Sequence, residues 1–134
     1  MSNSNIQQIL QTRLKPEAAS ESANRFYEVV NVDGKEEEFL ELQFRNGLRT
    51  CFPFNQMGWF NYDPKEGCLD LDFNGILVTI KGRGFFPELF HGIKRRRVSW
   101  IKEADSELQD HPGATAFVES ITIMLPEQKE GEPA

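Results

Sequence analysis

At 134 residues, 39% of them apolar and 27% charged, the chain has the size and composition of one globular domain, able to build a core without disulfide or metal staples. Its net charge is −6, which disfavours a general polyanion binder. No apolar run approaches the roughly 18 residues needed to cross a bilayer, and MSNSNIQQILQ lacks the basic start and apolar stretch of a leader, so a cytoplasmic protein is expected.

The first predicted element is a short amphipathic helix. Ile6, Ile9, Leu10 and Leu14 repeat at helical spacing, Ser4 and Gln7 have the offset of a capping box, and Pro16 ends the pattern. A small, polar linker follows, so residues 1–25 are read as helix and linker and 26–125 as one domain. From Phe26 to Val32 and again from Glu36 to Phe44 the chain reads as strand, with Asp33-Gly34 marking a turn between them.

The next turn holds Asn46-Gly47. A two-residue loop would place Leu40, Leu42 and Phe44 on the same face as Arg49, Cys51 and Pro53, because a shift of one residue exchanges the faces. A three-residue loop, Arg45-Asn46-Gly47 with Gly47 left-handed, instead pairs Phe44 with Leu48, Leu42 with Thr50 and Leu40 with Phe52. Trp59 to Tyr62 is a short apolar strand that Asp63 to Gly67 turns back into Cys68. There Leu69, Leu71 and Phe73 alternate with Asp70 and Asp72, and Asn74-Gly75 leads into Ile76, Val78 and Ile80. A two-residue loop pairs Phe73 with Ile76, Leu71 with Val78 and Leu69 with Ile80, which puts every apolar residue on one face.

After Gly84 the period changes. Phe86, Leu89, Phe90 and Ile93 predict a helix over 86–97, with Pro87 in its first turn and Arg95 to Arg97 at the negative end of its dipole. Strands follow at 98–103 and 117–125, separated by a loop at 110–114, and 126–134 is expected to be a disordered tail. The fold class is therefore α+β: an antiparallel β-meander forming a bent sheet or partly open barrel, with one main helix and a short N-terminal one.

The strongest functional signal is an asymmetry of charge. Between Lys81 and Lys102 seven basic residues, Lys81, Arg83, Lys94, Arg95, Arg96, Arg97 and Lys102, stand against Glu88 alone, a local excess of six positive charges that leaves −12 on the remainder. Four consecutive residues on a helix spread over about 300°, so the run at 94–97 cannot all face one ligand. Lys81, Arg83, Lys94, Arg96, Arg97 and Lys102 could converge across loop, helix and strand into a surface for phosphates or an acidic partner. Lys81-Gly82-Arg83-Gly84 lies between strand and helix, where backbone N–H groups can hold an anion; without a P-loop or full dinucleotide pattern, a tight connection is the preferred reading.

Trp59 beside that surface would suit base stacking, although alternating aromatics usually face a core. Catalysis has little support: His91 and His111 lie in no metal or nucleophile motif, Asp70 and Asp72 share the wet side of a strand, and Ser99, Ser106 and Ser120 have no elbow around them. Cys51 and Cys68, in different strands and without metal spacing, read as reduced. No cofactor is expected. The sequence predicts a non-enzymatic binding or assembly module whose basic surface meets an acidic protein or another copy of itself. The alternative is an RNA or DNA binder using the same surface with exposed rings, so solvent-facing Trp59 or Tyr62 beside Arg83 would favour nucleic acid.

Overall fold

The computed structural model describes residues 26–31 and 34–126; the helix and linker expected over 1–25, and all of the expected tail except Pro126, lie outside the described residues. Among the described residues eight strands and one helix follow in chain order. They are β1 (Tyr27–Val29), β2 (Phe39–Gln43), β3 (Arg49–Pro53), β4 (Met57–Asp63), β5 (Cys68–Phe73), β6 (Ile76–Arg83), α1 (Glu88–Lys94), β7 (Val98–Lys102) and β8 (Phe117–Met124), with a single 3-10 turn, Phe54–Gln56, between β3 and β4.

The two hairpins read from turn chemistry have the expected registers. In β5 and β6, Phe73 faces Ile76, Leu71 faces Val78 and Leu69 faces Ile80, and Leu69, Leu71, Phe73, Val78 and Ile80 are fully buried. Asn74 and Gly75 both have positive φ, 55° and 95°, as a two-residue hairpin loop that matches strand twist requires. In β2 and β3, Leu42 faces Thr50 and Leu40 faces Phe52. The Phe44 N–H donates to the Leu48 carbonyl at 2.8 Å, and Gly47 is left-handed at φ 93°.

The simple antiparallel meander is corrected. β7 sits between β1 and β2, antiparallel to the first and parallel to the second, so one sheet has the order β1-β7-β2-β3 and the other β4-β5-β6-β8. The reason is visible in the backbone of the segment after β1. The Val30 N–H donates to the Arg97 carbonyl at 2.6 Å and the Glu37 N–H to the Arg96 carbonyl at 2.7 Å. This segment therefore wraps the start of β7 instead of folding β1 directly onto β2. Val98 and Ile101 of β7 are fully buried, and a strand with neighbours on both edges satisfies its backbone groups there.

The two sheets share one apolar core, to which Leu40, Leu42 and Ile101 contribute from the first and Leu69, Leu71 and Val78 from the second. Phe52 and Phe73 stack between them, with centroids 4.8 Å apart. Helix α1 covers the core with Leu89 and Ile93, but it is shorter than the expected 86–97. The ring buried ahead of it is Phe85, while Phe86 is 56% exposed. A left-handed Gly84, φ 76°, ends β6 and turns Phe85 inward.

One buried charge ties the sheets together. Glu103, just past β7, is 6% exposed. Its carboxylate accepts the Arg45 N–H at 2.8 Å, the Arg45 guanidinium at 3.2 Å and the Ile121 N–H of β8 at 3.0 Å. Burial alone would raise its pKa; those hydrogen bonds and the guanidinium charge outweigh burial and hold the carboxyl below its ordinary value.

Candidate basic site at the end of the helix

The end of α1 is built from a six-residue hydrogen-bonding pattern. The Arg97 N–H returns to the Gly92 carbonyl at 2.8 Å and the Arg96 N–H to the Ile93 carbonyl at 3.0 Å. With Arg95 as the C-cap, these are the two bonds of the Schellman motif, whose following residue must be left-handed. Glycine normally takes that place because it has no Cβ to clash. Here the residue is Arg96, at φ 58°. A non-glycine residue in this region carries strain of order 1–3 kcal/mol.

The strained turn presents its side chains in two directions. On one side, a recess of about 230 Å³ between β1 and α1 is lined by Val29, Asn31, Glu88, His91, Arg95 and Arg97 among others. Tyr27 donates its hydroxyl proton to Glu88 Oε1 at 3.0 Å. Burial first, then the charge and hydrogen bond of Glu88, push that phenol well above its usual range. His91 packs against the rings of Phe86 and Phe90, at 5.3 Å and 5.7 Å between centroids. On the other side, Arg96 borders a groove of about 390 Å³ whose walls include Glu36, Glu37, Glu38, Phe39 and Phe54. Lys94, Arg95 and Arg96 are exposed, and among the described residues none of the three is in an ion pair.

Of the residues singled out by sequence, Lys94, Arg96 and Arg97 thus meet in one turn. The others stand elsewhere. Arg83, at the end of β6, is paired with Asp110 and reaches the Ala114 carbonyl at 3.4 Å, which fastens the 110–114 loop. Lys102, on β7, pairs with Asp105 at 3.4 Å. Lys81 is exposed on β6, opposite Cys68 and Ser120. Nor is Lys81 to Gly84 an open anion cradle. A Cβ on Gly82 would lie 1.9 Å from the Phe117 carbonyl oxygen, and one on Gly84 2.1 Å from that of Thr115, so the glycines allow backbone to pack on backbone.

Trp59 is 52% exposed, on the outer face of β4 in a row with Asp72, Leu77 and Met124. Arg83 is six residues further along β6 than Leu77, about 20 Å at the rise of a strand. Tyr62 faces inward, 6.0 Å from the Phe85 ring. Comparison with protein-family models, with curated proteins and with solved structures gives no match.

The sequence reading counted Arg95 in the basic run but left it out of the converging set, and it missed Asn31 and the Tyr27–Glu88 pair as neighbours of the basic turn. Tyr27 and Glu88 are 61 residues apart, and no local pattern announces such a contact. The one available signal was negative: after the helical stripe no glycine or asparagine stands where a Schellman turn wants one. Among the described residues no group of three or more His, Cys, Asp or Glu is placed to hold a metal ion. Burial, followed by the charge of Asp70, pushes the Cys68 thiol up, which favours its protonated form. No helix among the described residues is long and apolar enough to cross a membrane.

Proposed function

We propose that this chain is a non-enzymatic binding module that engages acidic protein surfaces through the Lys94–Arg97 turn. The observation that carries the reading is Arg96, a long cation held in a left-handed backbone position that glycine would occupy without strain. Strain of this kind persists where the surrounding structure enforces it, and it gathers at places with a task. Arg95 beside one recess and Arg96 beside the other are exposed cations on a backbone held by hydrogen bonds, so a docking carboxylate has only their side chains to order. The free cysteines Cys51 and Cys68 accord with work in a reducing, cytoplasmic setting.

A nucleic-acid reading would need exposed rings next to cations and clear of carboxylates; Phe39 borders the groove of Arg96, but Glu36, Glu37 and Glu38 line it too. Trp59 has Asp72 as its cross-strand neighbour, and its carboxylate repels phosphate. The remaining charge of the chain also opposes a long polyanion lying across the molecule.

The test is titration of a fluorescent decameric glutamate peptide and of a single-stranded RNA of equal charge, at low and high salt. The reading predicts peptide binding that weakens with salt and is lost in the Arg95→Glu/Arg96→Glu variant. RNA binding without peptide binding, abolished by Trp59→Ala, would replace it with the alternative.

A further inference from the structure

We propose that the acidic partner of the Lys94–Arg97 turn is a second copy of this chain, docked through Glu36, Glu38 and Phe39; the inference rests on the binding reading above. Glu36, Glu37 and Glu38 form the one run of three consecutive acids in the sequence. The run leads into Phe39, a ring 51% exposed at the start of β2. It is held at two points of its backbone, since the Glu37 N–H bonds the Arg96 carbonyl at 2.7 Å and the Glu38 carbonyl accepts the Phe54 N–H at 2.9 Å. Acidic run, exposed ring and Arg96 border the same groove.

That adjacency has a consequence in symmetry. A two-fold interface uses the same patch on both subunits, so the patch must be complementary to itself. Acid and base side by side on one surface meet this condition, because a two-fold axis between them lays each acidic run on the partner's basic turn. The two Phe39 rings then supply the apolar centre that charged pairs alone lack. Elsewhere the copies repel, because outside Lys81 to Lys102 and the acidic run itself the chain still carries −9, the −12 less its three glutamates. The repulsion favours this one orientation over others.

Sedimentation velocity at low and high salt tests the proposal with three samples: the unaltered chain, Glu36→Lys/Glu38→Lys, and Arg95→Glu/Arg96→Glu. The unaltered chain should be dimeric at low salt and dissociate as salt rises. Each variant alone should be monomeric, because like charges then face each other twice. An equimolar mixture of the two variants should restore a dimer, since both contacts become acid on base again, an outcome that damage within either chain cannot produce. The glutamate peptide should still bind Glu36→Lys/Glu38→Lys. A monomer at every salt concentration that still binds the peptide overturns the second copy and leaves the binding reading standing. A dimer indifferent to both reversals, or a mixture that stays monomeric, overturns the docking surface; absence of peptide binding by the unaltered chain at a concentration where it is monomeric overturns the binding reading itself.

Discussion

Glu103 and Arg96 are both charged and both placed by contacts that no local pattern encodes, yet they are opposites. Glu103 is 6% exposed, on a backbone joined to β2 and β8, and its carboxylate receives three donors from two other parts of the chain. Arg96 is exposed, on a strained left-handed backbone, and its guanidinium is in no ion pair among the described residues. A buried carboxylate whose partners are complete stabilises the fold, and its loss leaves those partners unsatisfied. A cation on a strained backbone, with no ion pair among the described residues, adds to stability only through its place at the negative end of the helix dipole, and under the proposed reading it serves an outside partner.

The largest effect expected from this contrast is at the clamp. Glu103→Leu should destabilise by about 3 kcal/mol, because the Ile121 and Arg45 N–H groups lose their acceptor in a buried place. Chemical denaturation measures it; a loss below about 1 kcal/mol would make the clamp no different from a surface pair.

An intermediate effect separates charge from hydrogen bonding at the same position. The Glu103 pKa is lowered in the fold, so the stability it adds is present above the unfolded value of about 4.3 and is lost as pH falls through the lower folded value. Glu103→Gln keeps shape and part of the bonding, should cost about 1–2 kcal/mol at neutral pH, and should flatten the decline of stability below pH 4. An unchanged acid limb would assign that decline to other carboxylates.

The smallest effect on stability belongs to the turn. Arg95→Glu/Arg96→Glu should cost about 0.5–1 kcal/mol, because two exposed cations leave the negative end of the helix dipole, while abolishing association with acidic ligands. A large drop in melting temperature would place these arginines with Glu103 as structural residues.

What the sequence made legible was local. Asn74-Gly75 lies between two alternating runs, so turn and pattern agree on one register, and Gly47 settles the neighbouring hairpin by the same logic. The insertion of β7 between β1 and β2 depends on carbonyls of Arg96 and Arg97 that meet residues more than fifty positions away, and no period records such pairing. Phe85 and Phe86 are equally apolar, so composition could not say which one the Gly84 turn buries. The basic run itself was plain, and Lys94, Arg96 and Arg97 do share one turn. That Arg83 and Lys102 are taken up by Asp110 and Asp105 depends on loops whose conformation the sequence did not specify. The conformation of Arg96 was hidden for a clear reason: the residue types that announce a left-handed position are glycine and asparagine, and neither is there.

Arg96→Gly, measured for stability and for association in the same preparation, tests the central claim most directly. Removing the Cβ relieves the left-handed strain, and part of the gain is offset by the greater freedom of glycine in the unfolded chain, leaving a net stabilisation of about 1 kcal/mol. Association with the glutamate peptide should weaken at least several-fold in the same variant. A variant more stable and equally able to bind would contradict the claim that the strain serves binding, and one that binds less but gains no stability would contradict the strain itself.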